Sequence, residues 1–241
     1  MIYEPRRYRS QHSSPDLVSF IVSVKETNLF VSAKIDLERK THRLVLKYRS
    51  ILEKYIAGHP EFLTSLNPVE VEPDAPMIIK DMAEGARKAR VGPMASVAGA
   101  VAKFIGEELS EYSPNVIIEN GGDIYVRTTR ERIIGIYAGE SPLSGKIGIE
   151  ISPGDTPCGI CTSSGTVGHS LSFGKADAVT IVATSASIAD AVATACGNTI
   201  QTPDDIEKGL AIASKIDGVT GAIIIIGDRI GVWGSVRLKR I

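Results

Sequence analysis

The order of patterns along the chain predicts an α+β fold, with mixed or antiparallel sheets flanked by helices and two pseudo-repeated halves in one domain of residues 1–241. Three observations carry this expectation. Two alanine-rich stretches, Met94–Leu109 and Ser185–Gly197, each lead into an apolar β pattern that turns at glycine and aspartate, Asn115–Val126 and Gly221–Gly234. The patterns come in blocks (hairpin, helices, strands, helices, hairpin), not in the βαβ alternation of a parallel sheet. No Gly/Ser-rich linker divides the 241 residues, a length sufficient to bury a substantial core.

Asp16–Ala33 reads as two strands joined through Lys25–Asn28. A helix follows from Asp36: Leu37, Leu44, Ile51 and Leu52, with Tyr48 and Tyr55, recur at helical spacing until Gly58 and Pro60. Pro60–Pro73 is a polar passage. Asp74 with Pro76 suits a helix start, continuing through Ile79 and Met82 towards Ala89. Gly92-Pro93 punctuates the chain before the first alanine-rich helix. Strands are expected at Asn115–Glu119, Asp123–Thr128, Arg132–Ala138 and Lys146–Ile151. Pro153-Gly154-Asp155 then turns the chain into a cysteine-bearing loop. Ala178–Ala183 is a short apolar strand, followed by the helix around Asp190. Pro203 opens one more helix, and Gly221–Val236 forms a last hairpin through Gly227-Asp228.

Hydrophobic residues make up 43% and charged residues 23%, with a formal net charge of -1. That balance gives no global attraction for nucleic acid, and the basic tract EPRRYRSQH is short enough to be a solvated end. No uninterrupted apolar run reaches about 18 residues, so no membrane span is expected. Three cysteines are an odd number and too few to staple a secreted scaffold, which with the lack of an apolar leader points to the cytoplasm.

Asp190 and Thr194 lie four apart on a predicted helix and share a face among alanines. A carboxylate in apolar company needs a partner, and Asp and Thr oxygens suit a hard cation such as Mg²⁺. Equally, Asp190 could brace a neighbouring loop while Thr194 bonds back to its helix. Asn120-Gly121-Gly122-Asp123 is a tight turn, and its glycines would also admit a ligand close to backbone N–H groups. Thr162-Ser163-Ser164-Gly165-Thr166 offers hydroxyls and N–H groups for an anion, although such loops also occur without ligands. His169, one of four histidines, titrates near neutrality when unperturbed and is a candidate for proton transfer. Cys158 and Cys161 have the spacing of a redox pair or half a soft-metal site, with buried free thiols as the simpler account. Gly139–Lys146 (GESPLSGK) is no P-loop: its glycines are one residue too far apart and Ile147 stands where Ser or Thr is required.

Three of these segments, in this order, resemble the ApbE-like superfamily, whose best understood members are FAD:protein FMN transferases. ENGGDIYV, Glu119–Val126, is similar to its GGD segment beside the flavin nucleotide. CTSSGTVGH, Cys161–His169, resembles its T-S-G loop, matched by Ser163 or Ser164 with Gly165. AVTIVATSASIADAVATA, Ala178–Ala195, resembles the strand and helix ending in A-D-A-x-A-T. GAVAKFIGEEL, Gly99–Leu109, is a looser match to a G-x-A-K-G helix, with Phe104 in place of the second glycine.

The resemblance implies an ApbE-like core, FAD or FMN as ligand, and Mg²⁺ held by Asp190 and Thr194. It places Asn120, Gly121, Gly122 and Asp123, with Thr162, Ser163, Ser164 and Gly165, along the ligand. The transferases carry H-x-x-D-P-x-T-G after the T-S-G loop; here His169 is followed by SLSFGKAD, without Asp-Pro or Thr-Gly. With the N-terminal E-P-R-R-Y-R and the compact length, the pattern is closer to a short ApbE-like family of bacteria and archaea. Some archaeal relatives are linked to sulfur assimilation and homocysteine formation. The expected ligand is therefore a small phosphate-bearing or sulfur-containing molecule bound with a divalent cation, with His169, Cys158 and Cys161 as candidate catalytic residues. FAD-dependent FMN transfer and ligand binding or assembly without turnover are the alternatives.

Overall fold

The computed structural model describes Arg9, residues 15–167 and residues 172–241. Eight strands form one sheet in the order β1 (Val18–Val24), β2 (Thr27–Ala33), β3 (Val116–Asn120), β4 (Asp123–Arg127), β7 (Cys158–Ser163), β8 (Ala178–Ala183), β9 (Val219–Ile226) and β10 (Arg229–Gly234). Three more form a smaller sheet in the order β11 (Arg237–Arg240), β6 (Ile147–Ile151), β5 (Arg132–Gly135). Every pairing is antiparallel. Helices α1 (Glu38–Gly58), α2 (Pro60–Thr64), α3 (Met77–Ala89) and α4 (Val97–Leu109) fall between β2 and β3. Helices α5 (Ala186–Gly197) and α6 (Ile206–Ala213) fall between β8 and β9. The halves thus share one plan: a hairpin, its helices, then a second hairpin beside the first.

Alternation along the strands splits the core into two layers. Leu29, Val31, Ile118, Ile181 and Ile224 face the helices and pack with Ile79, Met82 and Ile105. Val126, Ile160, Ile223 and Ile225 face the other way, against Ile134, Ile149 and Ile151 of the small sheet. The helical layer is unusually close around the start of α5. A side chain at Gly99 of α4 would place its Cβ 2.2 Å from the Ala186 carbonyl oxygen, and one at Gly159 of β7 would meet the Ala186 Cα at 2.2 Å. The small residues are therefore a requirement of contact between α4, α5 and the sheet.

Several boundaries differ from expectation. The segment after Pro153 is not a loop: Cys158–Ser163 is the central strand β7, paired with β4 and β8. Its small and polar residues hide it, because both faces are covered and Gly159 is demanded by the helix above. Asp74 does not cap α3, which starts at Met77 after Pro76, while Asp74 itself is exposed. The passage after Gly58 includes the short helix α2, anchored by fully buried Phe62. Strand β11 lies beyond the last element expected from the sequence and is held by Glu150, which accepts from Arg237 Nε at 3.3 Å and Lys239 Nζ at 3.0 Å. No helix among the described residues is long and apolar enough to cross a membrane.

Candidate functional site

The site is assembled where one end of the sheet meets the N-termini of α4 and α5. Register places Asp123, the first residue of β4, beside Cys161 of β7. The intervening turn holds Gly121 at φ 72° and Gly122 at φ 107°, left-handed conformations that favour glycine. Three polar contacts fix this turn. Glu119 Oε1 accepts from the Gly122 N–H at 2.9 Å, Asn120 Nδ2 donates to the Ala98 carbonyl at 3.1 Å, and the Thr162 N–H donates to the Gly122 carbonyl at 3.2 Å. Arg9 in turn pairs with the Glu119 carboxylate.

Across from the turn, Asp190 enters from α5, and its Oδ2 accepts the Gly99 N–H at 2.9 Å. Gly99 lies in the first turn of α4, where free N–H groups and the helix dipole favour an anion. Asp190 thus braces the first turn of a helix, where the sequence suggested a neighbouring loop. Yet burial outweighs these donors: the Asp190 carboxyl is pushed up to about 7, with the Gly99 and Ala98 N–H groups opposing the shift. Asp123 is also raised well above the ordinary carboxylate range, by burial first and by the Asp190 charge second. The Cys161 thiol and the Thr162 N–H offset that only in part. Both carboxylates are 9% exposed, at the boundary with solvent. Among the described residues, no lysine or arginine figures in the groups acting on either one.

Thr194 is half-buried one turn beyond Asp190, on the same face of α5. Ser163 lies on the helical side of β7, near Gly197 at the end of α5. The other hydroxyls of the loop are committed elsewhere. Thr162 faces the opposite side and bonds to Thr180 at 2.9 Å. Ser164 Oγ accepts from the N–H groups of Thr166 and Val167 at 3.1 and 2.9 Å, closing the turn on itself. Thr166 is tied to Asp177, which also accepts the Gly227 N–H of the β9–β10 turn at 2.7 Å. Gly165 packs against Gly174, where a Cβ would meet a carbonyl oxygen at 2.1 Å. His169 lies outside the described residues.

Cys158 and Cys161 are buried free thiols, the simpler of the accounts their spacing allowed. Cys158 and Cys161 sit three apart on one strand, so their side chains emerge on opposite faces and join different core layers. Their Cα atoms are roughly 10 Å apart at strand rise, beyond disulfide reach. Burial pushes the Cys158 thiol up to about 12; Cys161 is also raised well above its ordinary value, by burial first and then by the Asp123 and Asp190 charges. Cys161 donates to the Ala186 carbonyl at 3.2 Å, a packing role. Cys196, also buried, is pushed up to about 12.

A network unforeseen in the sequence lies behind Asp190. Asp81 of α3 pairs with Lys103 of α4 and accepts from Ser187 of α5. Ser187 also contacts Ser185 at 2.8 Å. These residues are scattered over more than a hundred positions and carry no spacing signal. Phe104, at the place of a family glycine, packs edge-on against Tyr48 of α1 at 5.5 Å and thereby seats α1 on α4.

Among the described residues, no group of three His, Cys, Asp or Glu side chains is arranged to hold a metal ion. The protein donors on offer are two carboxylates and a hydroxyl. That set fits a hard cation such as Mg²⁺, which commonly takes one or two carboxylates and completes its shell with water and phosphate oxygens. A groove of about 650 Å³ lies elsewhere, between β1 and the start of α1, lined by Ile21, Arg39, His42 and Arg43.

Comparison with known proteins bears on this arrangement. A family model described as "AbpE bacteria" matches residues 9–228. A UPF0280 protein of Methanococcus aeolicus is 45% identical over 223 residues, covering 89% of each chain. A second, from Methanocaldococcus jannaschii, is 44% identical over 223 residues, covering 89% of this chain and 90% of the relative. Among solved structures, the ApbE protein of Thermotoga maritima superposes with a TM-score of 0.62 at 14% identity, covering 89% of this chain and 96% of that one. The apo form of the Pseudomonas stutzeri flavinyl transferase ApbE gives 0.57 at 13% identity, covering 91% and 94%. At these identities the structural likeness is one of fold.

Proposed function

The chain belongs to the AbpE bacteria family, and from that premise we propose that it binds a flavin nucleotide together with a divalent cation, at the meeting of the Gly121-Gly122 turn and α5. One observation carries this reading: Asp123 and Asp190 are both buried and the Asp190 charge raises Asp123, with no lysine or arginine among the described residues acting on either. Two such carboxylates are costly side by side unless a cation or protons offset them. Asp190, Asp123 and the Thr194 hydroxyl would hold the cation, which when bound would neutralise charge on the ligand phosphates.

The chain's own groups do the remaining work. The side-chain-free turn at Gly121-Gly122 lets a ligand approach the backbone, and its contacts to Glu119 and Ala98 keep it oriented. Asp190 is held in place by α4, so this cation ligand is positioned before any ligand arrives. The structural neighbours, a flavinyl transferase of Pseudomonas stutzeri and a flavin transferase of Vibrio cholerae, make flavin the first nucleotide class to try.

The test is titration of purified protein with FAD and FMN, with and without Mg²⁺, followed by flavin fluorescence and retention of ligand on filtration. Mg²⁺-dependent binding that Asp190→Ala abolishes supports the reading. Failure of both flavins to bind, or binding indifferent to Mg²⁺ and to Asp190→Ala, overturns it. A second reading, binding without turnover, is favoured by the passage after His169, which lacks the Asp-Pro and Thr-Gly of the transferases. Flavin transfer to a threonine-bearing acceptor protein separates the two: FMN appearing on the acceptor, with AMP released, rules out the binding-only reading.

A further inference from the structure

Independently of the cation–nucleotide reading, we infer that the open edge of β1 is a docking groove for an extended, acidic segment of a partner protein, which adds to the large sheet as a further strand. β1 ends the strand order of that sheet, and among the described residues no strand pairs with its outer edge. The turn into β2 is two residues long, Lys25-Glu26, and closes on the pair Val24–Thr27. Turns of this length close on a hydrogen-bonded pair. Alternation from Val24 therefore leaves the N–H and C=O groups of Ser19, Ile21 and Ser23 directed at the open edge. A row of unpaired backbone groups is a template for another strand.

The groove of about 650 Å³ follows this edge, with Ile21, Val22 and Ser23 on one side and Glu38, Arg39, His42 and Arg43 of α1 on the other. Arg39, His42 and Arg43 share one exposed face of the helix. None of their side chains has an ion pair or hydrogen bond among the described residues, whereas Lys25 and Arg49 nearby are both paired with Glu53. Charge selects the occupant: two arginines and a histidine outweigh one glutamate, so an acidic segment is attracted. A second copy pairing edge to edge about a two-fold axis would bring two such basic clusters onto one face of the joined sheet. The chain's own N-terminal tract is basic in turn, with Arg6 and Arg7. A nucleic acid would satisfy the arginines but not the alternating donors and acceptors of the edge. Leu29 pairs with Asn120 and Asn120 with Asp123, so the Val24 end of β1 and the Gly121-Gly122 turn lie at the same end of the sheet. A docked strand lies four strand spacings from β4, roughly 19 Å. About six further residues of the partner would span that distance.

The experiment follows the fluorescence anisotropy of two labelled octapeptides with the full chain, one alternating Glu and Val, the other Lys and Val. The acidic peptide should bind about tenfold or more tightly than the basic one, an advantage that shrinks with added salt. Arg39→Glu combined with Arg43→Glu should remove it. Ile21→Pro takes away one edge N–H without breaking the β1–β2 ladder, and should weaken the acidic peptide about tenfold at an unchanged melting temperature. The acidic peptide N-methylated throughout, which cannot donate to the edge, tests the same pairing on the unaltered protein and should be weakened as much. Failure of the acidic peptide to bind, equal binding of the two peptides, or binding indifferent to N-methylation overturns the inference. So does sedimentation that shows a wild-type dimer dispersed by Ile21→Pro, which gives the edge to a second copy. Oligothymidylate binding that the double arginine substitution abolishes and Ile21→Pro leaves intact overturns it in favour of nucleic acid.

Discussion

Replacing Asp190 by asparagine removes a charge while keeping an oxygen that can accept the Gly99 N–H. In the absence of divalent cations this substitution should stabilise the protein at pH 8 and less than half as much at pH 5, where only part of the interval between the unfolded and folded values has been crossed. The folded carboxyl sits at about 7 against an ordinary value of 3.8. Because the folded value is raised, the folded state holds a proton that the unfolded state releases between these two pH values. Stability is then fully present below about pH 4 and falls as pH rises through 7. The difference corresponds to roughly 4 kcal/mol at most, and the residual solvent contact of Asp190 reduces it. A gain of about 1–3 kcal/mol for Asp190→Asn at pH 8 is the expected size. Urea denaturation in EDTA at pH 5 and pH 8 measures it, with the variant serving to cancel the titration of His59 and the surface carboxylates. Saturating Mg²⁺ should reverse the order, since it stabilises only the chain that retains its ligand. A variant equally destabilised at both pH values would refute the reasoning, because Asp190 would then act as an ordinary charged brace.

Three further outcomes follow from the packing. Gly99→Ala should cost about 2 kcal/mol or more and abolish Mg²⁺-dependent binding, because the new Cβ meets the Ala186 carbonyl at 2.2 Å and the Asp190 Cβ at 2.9 Å; thermal melts and the flavin titration together check it. Asp81→Asn should lower stability by about 1–2 kcal/mol through its bonds to Lys103 and Ser187. A calorimetric melt identical to wild type would show that this network contributes nothing. All three cysteines should resist iodoacetamide at pH 7.5 in the native protein and react fully in urea, since each is buried with its thiol raised. Rapid native labelling, read by peptide mapping, would contradict the packing role assigned to Cys161.

The sequence pattern reached the hairpins and the alanine-rich helices because amphipathic alternation and small-residue periodicity survive in a single chain. It missed β7 because a strand buried on both faces and crossed by a helix at Gly159 shows no alternation. Asp190 and Thr194 were legible from their four-residue spacing, and Asn120–Asp123 from the paired glycines. What could not be read was their relation: Asp123 and Asp190 are 67 positions apart, and only the register of β4 with β7, roofed by α5, brings them together. The hydroxyls of Thr162–Thr166 look equivalent on paper. In the fold, strand alternation and a self-closed turn leave Ser163 as the one on the helical side of β7.

The turn bearing Asp123 belongs to the first hairpin–helix–hairpin half, and the helix bearing Asp190 belongs to the second. The proposed cation would therefore be a rivet through the seam between two copies of one plan. Either copy alone would keep its sheet and helices yet offer a single carboxylate and no site. Substitutions far from the ligand that slide one half against the other by an ångström would then extinguish binding while both halves remain folded. The seam, more than either half, is where selection on function would be felt.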